Sequence, residues 1–130
     1  MQIELASLAQ IDGIWPHIRD GIVRSCKGGN MRAGYIWQQC RSGNAHLLIA
    51  HDGAKICGAA VLQFEDYGKT LRGLALCGED RKTWWPQMVD VVRQMVKDNR
   101  AERFIDEGRV GLKSIYPKAR LLSQTYEIRP

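Results

Sequence analysis

The feature that most constrains the fold is a strand, an amphipathic helix and a second strand in direct succession between residues 71 and 107. Residues 71–77 carry spaced leucines typical of a strand, and residues 103–107 form a second short strand pattern. The residues between them place their apolar side chains on one helical stripe. That stripe consists of Trp84, Met88, Val91, Val92 and Met95. Because a helix between two strands is the natural connection of a parallel pair, this segment predicts a parallel crossover.

The other elements predict one mixed α+β domain over residues 1–130. Asp12 is a predicted N-cap for the first helix, and Asp52-Gly53 is a strong hairpin signal. The predicted strands lie at residues 2–5, 45–50, 55–65, 71–77, 103–107 and 121–128, and the predicted helices at about 13–26, 32–41, 83–98 and 110–116. This order favours a central mixed, mainly antiparallel sheet with helices on both faces.

Composition excludes several classes of protein. Hydrophobic residues at 45% and charged residues at 25% are ordinary for a globular domain and do not favour disorder or a coiled coil. The longest apolar runs, at residues 47–50 and 59–62, are too short to span a bilayer. The N-terminus has no basic segment followed by an apolar stretch, so we expect neither a secretory signal nor a membrane partner.

Cysteine spacing and net charge give weaker indications. The four cysteines form no C-x-x-C pair and no zinc-ligand pattern, so we expect no metal and four free thiols in a reducing compartment. The formal net charge is +5, with eight basic and five acidic residues from Lys97 onward. This balance is compatible with a nucleic-acid or acidic partner, and equally with a solvated basic face.

Over nearly its whole length the chain resembles the Gcn5-related N-acetyltransferase (GNAT) superfamily, and more narrowly its small divergent members encoded by tailed bacteriophages. The segments that carry the resemblance are Trp15-Pro16, residues 45–49 leading into Asp52-Gly53, residues 56–61, and Gly108-Arg109-Val110-Gly111-Leu112. The resemblance implies a GNAT-like sheet flanked by helices. For the phage members it implies a location in the host cytoplasm or in the virion.

The resemblance also defines where coenzyme A would bind. In catalytic members, a loop of the pattern Gln/Arg-x-x-Gly-x-Gly/Ala before the long helix grips the pyrophosphate through its N–H groups. Starting this pattern at Arg81 puts Trp84 and Pro86 at the small positions. Pro86 lacks an N–H, Trp84 adds bulk beside the expected phosphate path, and Thr83 reads as an ordinary N-cap. The sequence therefore predicts a degenerate loop and no cofactor, with acetyl-coenzyme A as the alternative.

If the chain is active, the resemblance gives roles to particular residues. Tyr116 would protonate the departing thiolate, Glu79 or Asp80 would be the general base, and a strand N–H near Leu76 would polarise the thioester carbonyl. The residues expected to contact the cofactor are Cys77, Arg81, Lys82 and Thr83. The alternatives are a half-buried aromatic role for Tyr116 and an ordinary solvated carboxylate at Glu79.

A further group of residues is predicted to bind a partner. Arg109 lies between two glycines just after a predicted strand, where it could grip a carboxylate or phosphate, or could pair internally with Asp106, Glu107 or Glu65. The predicted binding residues are Arg109, Trp85 and Lys113, and the aromatic residues Trp37, Trp85 and Tyr126 are either interface anchors or core.

Three functional hypotheses follow from the sequence. The first is a noncatalytic phage protein that acts as a virion-associated or accessory binding protein, with a protein partner, virion components or a second copy of itself. The second is an acetyl-coenzyme A-dependent N-acetyltransferase that acts on an amine. The third is a small nucleic-acid-binding protein, for which steep salt dependence would be the mark.

Overall fold

The computed structural model of the chain describes residues 1–27, 29, 31–106, 120, 122 and 127–129. These residues contain five strands and three α-helices. In chain order they are β1 (Gln2–Leu5), α1 (Ile11–Ser25), α2 (Ala33–Arg41), β2 (His46–His51), β3 (Ile56–Glu65), β4 (Thr70–Gly78), α3 (Arg81–Asp98) and β5 (Arg103–Asp106). A 3₁₀ turn at Leu8–Gln10 leads directly into α1.

The strands form one sheet in the order β1-β2-β3-β4-β5. The pairs β1–β2, β2–β3 and β3–β4 are antiparallel. β4 and β5 are parallel, because α3 returns the chain to the end of the sheet at which β4 began. The predicted α+β class, the mainly antiparallel sheet and the parallel crossover are confirmed.

Both faces of the sheet are covered, because alternate side chains of each strand enter different apolar clusters. Leu47 and Ile49 of β2 pack with residues of α1 and α2. Leu48 and Ala50 of the same strand pack with Met88 and other residues of α3. We call the two sides the α1 face and the α3 face. Burial of both clusters supplies the hydrophobic stabilisation of the fold.

The N-cap prediction for the first helix was wrong. The helix begins at Ile11 with Gln10 as its N-cap, because the preceding 3₁₀ turn runs into it and is held by the Ser7 N–H, which donates to Gln10 Oε1 at 2.9 Å. Asp12 instead accepts a hydrogen bond from Trp37 Nε1 at 3.2 Å and lies 3.3 Å from Arg41 Nε. Asp12 therefore joins α1 to α2, and the indole of Trp37 takes part in this internal contact.

The predicted hairpin at Asp52-Gly53 is confirmed. Asp52 Oδ1 accepts hydrogen bonds from the N–H groups of Ala54 at 2.9 Å and Lys55 at 2.8 Å. Gly53 has φ +97°, a left-handed conformation that favours glycine. The two N–H donors hold the pKa of Asp52 below its ordinary value.

Two predicted elements belong to the C-terminal part of the chain. The predicted helix at residues 110–116 and most of the predicted strand at residues 121–128 lie outside the described residues. In the part of the chain that is described, no helix has both the length and the apolar character needed to cross a bilayer.

Candidate active site

A β-bulge in β4 divides this strand into two halves. In its pairing with β3, Val61 lies opposite Ala75 and Leu62 lies opposite Gly73, so Leu74 is an extra residue on β4. Leu74 and Ala75 both pack on the α1 face, which shows that the alternation of side chains is reset there. A bulge bends the strand that carries it and interrupts regular pairing.

β5 pairs with the first half of β4. The parallel register begins with Thr70 opposite Arg103 and ends with Gly73 opposite Asp106. Within the described residues, the second half of β4, from Leu74 to Gly78, pairs with β3 and not with β5. We call Gly73 and Asp106, the last described pair of this register, the β4–β5 pair.

The carboxylate of Asp106 occupies the place where residue 73 would have a side chain. An ideal Cβ added to Gly73 would lie 3.0 Å from both Cγ and Oδ1 of Asp106 and 3.2 Å from Oδ2. Gly73 is buried and Asp106 is half-buried. The β4–β5 pair therefore carries a carboxylate that fits because residue 73 is glycine.

The turn after β4 is built on a second glycine. Gly78 has φ +137°, and a Cβ there would lie 2.5 Å from the carbonyl oxygen of Cys57 and 2.6 Å from the Cα of Gly58. The Glu79 N–H donates to the Cys57 carbonyl at 3.0 Å, which anchors the turn to β3. Asp80 follows in a left-handed conformation, with φ +51°, and is the N-cap of α3. Gly78 is therefore required by the contact with β3.

The side chain of Trp84 lies between α3 and the sheet, and not at the exposed start of the helix. Its side chain is fully buried in the α3-face cluster. Its indole packs so closely on Gly58 that a Cβ there would overlap the ring, and its Nε1–H donates to the Glu79 carbonyl at 2.8 Å. The expectation that Trp84 adds bulk on a phosphate path is therefore wrong, because the ring is directed into the core.

The start of α3 also differs from the prediction. Thr83 was expected to be the N-cap, but the helix begins at Arg81 and Thr83 is its third residue. The Thr83 hydroxyl and N–H both donate to the Asp80 carbonyl, at 2.7 and 2.9 Å. Pro86 is then the sixth helical residue, so its missing N–H falls in the second turn and the first turn keeps its own N–H groups.

The predicted cofactor residues are divided between the surface and the core. Arg81, Lys82 and Thr83 are exposed at the start of α3, and Glu79 is exposed in the turn before it. Cys77 is buried, with its side chain directed onto the α1 face and against Gly21 of α1. Burial raises the pKa of the Cys77 thiol.

The predicted binding residues have different outcomes. Trp85 is half-buried, packs on the α3-face cluster and lies edge-to-face with Trp84 at a centroid distance of 6.0 Å. Arg109, Lys113 and Tyr116 lie outside the described residues.

Sequence reasoning named Asp106 only as a partner for Arg109. The sequence does contain a signal for the Gly73–Asp106 contact, namely a glycine in one strand and a carboxylate at the end of the next parallel strand. The register that pairs the two residues cannot be read from the sequence.

The comparisons with known proteins agree with this architecture. No protein-family profile and no curated protein matches the amino-acid sequence. Among solved structures, a predicted acetyltransferase with acetyl-CoA from Clostridium acetobutylicum is similar at a TM-score of 0.73 and 12% identity, with 98% of this chain and 95% of that chain covered.

Two further solved structures show the same likeness. An aminoglycoside acetyltransferase from an uncultured soil metagenomic sample has a TM-score of 0.72 at 11% identity, with 99% of this chain and 97% of that chain covered. The ribosomal-protein-alanine N-acetyltransferase from Brucella melitensis biovar Abortus 2308 has a TM-score of 0.69 at 13% identity, with 99% of each chain covered. At these identities the likeness is one of fold. The chain therefore has the mixed α+β fold of the GNAT-type acetyltransferases.

Proposed function

We propose that the chain binds acetyl-coenzyme A along the second half of β4 and transfers the acetyl group to an amine. The observation that carries this proposal is the bulge at Leu74, from which β4 continues to the turn before the N-terminus of α3. A strand can offer backbone N–H and C=O groups to an extended ligand, and a helix N-terminus offers N–H groups to a phosphate. The bulge and the N-terminus of α3 lie at opposite ends of the second half of β4.

The dimensions of this half-strand fit the cofactor. From Gly73 to Gly78 the strand rises by about 16 Å, at about 3.3 Å per residue. The pantetheine arm of coenzyme A has the backbone length of about four residues, or about 14 Å when extended. With the pyrophosphate at the start of α3, the thioester would therefore lie near Gly73.

The residues at the start of α3 are compatible with a pyrophosphate. The first N–H groups of a helix have no intrahelical acceptor, and the positive end of the helix dipole favours an anion. Arg81 and Lys82 add two exposed cationic side chains in the first turn. Since Trp84 is buried and Pro86 lies in the second turn, neither residue removes these donors.

In the proposed reaction, a bond forms between the amine nitrogen and the acetyl carbonyl carbon. The carbon–sulfur bond breaks with its electron pair on sulfur, and one proton moves from nitrogen to the thiolate. A β4 N–H near Leu76 is proposed to polarise the carbonyl, and Tyr116 is proposed to supply a proton to sulfur. Oriented donors of this kind stabilise the negative charge that develops on the oxygen.

A second candidate is the noncatalytic binding role, including the virion-associated one, with a protein partner or a second copy of the chain. The observation that favours it is the conformation of residues 81–86, which are helical and not an open glycine-rich loop. Thr83 N–H already donates to Asp80, and Gly78 is required by the contact with β3. Fewer backbone donors are then available to a phosphate than in an open loop.

The test is isothermal titration with acetyl-coenzyme A. Wild type and an Arg81→Glu/Lys82→Glu variant are compared with Arg19→Glu/Arg93→Glu, which makes the same charge change at exposed positions in the middle of α1 and α3. Glutamate is favourable in the first turn of a helix, so the Arg81→Glu/Lys82→Glu variant should stay folded. We expect micromolar binding by wild type and the control, and at least tenfold weaker binding by the Arg81→Glu/Lys82→Glu variant.

A thermal-shift scan gives a second readout. Acetyl-coenzyme A at 100 times its dissociation constant should stabilise the wild type by about 2.7 kcal/mol. No heat of binding and no thermal shift would overturn the acetyltransferase proposal and leave the noncatalytic role. Equal loss of binding in both charge variants would show that general electrostatic attraction, and not the start of α3, holds the ligand.

A further inference from the structure

The chain contains three Asp-Gly dipeptides, and one of them has a different backbone setting from the other two. Asp12-Gly13 and Asp20-Gly21 lie within α1, whereas Asp52-Gly53 forms the exposed turn between β2 and β3. In an Asp-Gly pair the glycine nitrogen can attack the aspartate carboxyl carbon, because glycine has no side chain to hinder the approach. A helix opposes this reaction, since the five-membered ring that results would break its regular hydrogen-bonded backbone.

A base is in contact with the backbone nitrogen of Gly53. The Gly53 N–H donates to Nδ1 of His51 at 3.0 Å. Because Nδ1 accepts this hydrogen bond, it carries the lone pair of the neutral ring, and Nε2 carries the proton. Glu4 of β1 brings its Oε1 to 3.2 Å from Nε2, and a carboxylate at this distance stabilises a positive charge on the ring. The imidazole is therefore placed to take the proton of the Gly53 nitrogen.

The carboxyl group of Asp52 is oriented by two donors. Its Oδ1 accepts hydrogen bonds from the N–H groups of Ala54 at 2.9 Å and Lys55 at 2.8 Å. When a nitrogen adds to a carboxyl carbon, negative charge develops on the oxygen, and oriented N–H donors stabilise it. Apart from its chain neighbours, nothing lies within 4 Å of a Cβ placed on Gly53, so the backbone there has open space. Nucleophile, base and donors to the oxygen therefore meet in one turn.

We propose that Asp52 and Gly53 form a succinimide in the folded protein, with His51 as the base, and that water opens this ring to isoaspartate. The Gly53 nitrogen bonds to Cγ of Asp52 while its proton passes to Nδ1 of His51. The bond from Cγ to Oδ2 of the protonated carboxyl breaks. Oδ2 leaves as water, with its own proton and the proton returned by His51. Water then attacks either carbonyl carbon of the ring, which gives aspartate or isoaspartate.

The reaction is slow, because the protonated carboxyl is the form that reacts. The donors from Ala54 and Lys55 hold the pKa of Asp52 below its ordinary value, so the ionised form predominates near neutral pH. In isoaspartate the main chain continues through Cγ and is longer by one CH₂ group, so the carboxylate leaves both N–H groups. The modification therefore loosens the β2–β3 hairpin as the protein ages, independently of the proposed acetyl transfer.

The test is incubation of the folded protein in H₂¹⁸O at pH 6, followed by trypsin digestion and mass spectrometry. Opening of a succinimide by labelled water puts ¹⁸O into the aspartate. Trypsin separates the three Asp-Gly pairs into the peptides 1–19, 20–24 and 42–55, so each pair is measured by itself. In the folded protein we expect peptide 42–55 to take up label about 10-fold faster than the other two, or more, as general base catalysis allows. In urea the three peptides should label at similar rates.

Variants identify the base and its positioning residue. His51→Gln should slow labelling of peptide 42–55 about 10-fold, while His17→Gln, at an exposed position in α1, should leave it unchanged. Glu4→Gln should slow it by a smaller factor, because the carboxylate acts through the ring. Glu4→Asp, which keeps the charge, should label faster than Glu4→Gln, a rescue that a purely structural role would not give. Circular dichroism and the melting temperature establish that each variant is folded.

Two results would overturn the proposal. One is labelling of peptide 42–55 in the folded wild type that is absent or no faster than labelling of the two α1 peptides. The other is unchanged labelling in a folded His51→Gln variant, which would show that the imidazole is not the base. If His51→Gln does not fold, the comparison of the three peptides in the wild type and the comparison of Glu4→Gln with Glu4→Asp decide in its place.

Discussion

The indole ring of Trp84 packs on the Cα of Gly58, at a place where a side chain on residue 58 would overlap it. Trp84 is in the second turn of α3 and Gly58 is near the start of β3, so the contact fixes the beginning of α3 against the sheet. The ring also reaches the Glu79 carbonyl through its Nε1–H. The orientation of the helix start, and therefore of its free N–H groups, depends on this contact.

Gly58→Ala should destabilise the protein by about 1 to 3 kcal/mol, because the added methyl group overpacks a closely filled core. The matched control is Gly13→Ala in α1, where nothing lies within 4 Å of the added Cβ. That change should stabilise the protein by about 0.5 to 1 kcal/mol through the higher helix propensity of alanine. Urea denaturation of both variants checks the prediction, and equal effects of the two changes would contradict it.

Tyr67→Gly should stabilise the protein by about 0.5 to 1 kcal/mol. Tyr67 is fully exposed in the turn between β3 and β4 and has φ +56°, a left-handed conformation that costs a residue with a Cβ about 1 to 2 kcal/mol. Part of this gain is lost because glycine makes the unfolded chain more flexible. Tyr67→Phe, which keeps the Cβ, should leave the urea midpoint unchanged. A lower midpoint for Tyr67→Gly would show that the aromatic ring makes a stabilising contact.

Local signals in the sequence predicted much of the fold. The Asp52-Gly53 turn, the apolar stripe of α3 and the parallel crossover all depend on residues close together in the chain, and each is confirmed. The order of the elements also predicted helices on both faces of the sheet, and apolar clusters cover both faces.

The sequence did not predict the details that define the candidate site. The predicted start of α3 at Thr83 was wrong, because Asp80 is the N-cap in a left-handed conformation and the helix begins at Arg81. The β4–β5 pair and the bulge were missed because they require the register of β4 against two neighbours, including the extra residue at Leu74. Such long-range pairing is not encoded in local periodicity, so Gly73 and Asp106 could not be brought together from the sequence.

The four cysteines should differ in reactivity toward Ellman's reagent in the native state. Cys40 is fully buried, and burial raises the pKa of its thiol to about 11. Burial also raises the pKa of Cys77 and Cys26, whereas Cys57 is half-exposed at the start of β3. Because the thiolate is the reacting form, we expect one fast phase from Cys57 and slow reaction of the others.

The thiol prediction is checked by single serine variants. Cys57→Ser should abolish the fast phase, while Cys40→Ser should leave it intact and reduce only the amplitude released in denaturant. A fast phase that survives Cys57→Ser would show either that Cys26, which is also half-buried, reacts quickly or that a buried thiol becomes exposed by local opening of the fold.

Asp52 should make the stability of the protein depend on pH in the acid range. Its folded-state pKa is lowered from an ordinary value of 3.8, mainly by hydrogen bonds from the N–H groups of Ala54 and Lys55. A group with a lowered folded-state pKa stabilises the fold above its unfolded-state pKa, and the stabilisation disappears as pH falls through the folded-state value. Wild type should therefore be more stable than Asp52→Asn at pH 7, and the difference should shrink below about pH 3.8. Urea midpoints of the two proteins measured between pH 7 and pH 2 check this, and a difference that stays constant over that range would show that the charge of Asp52 does not stabilise the turn.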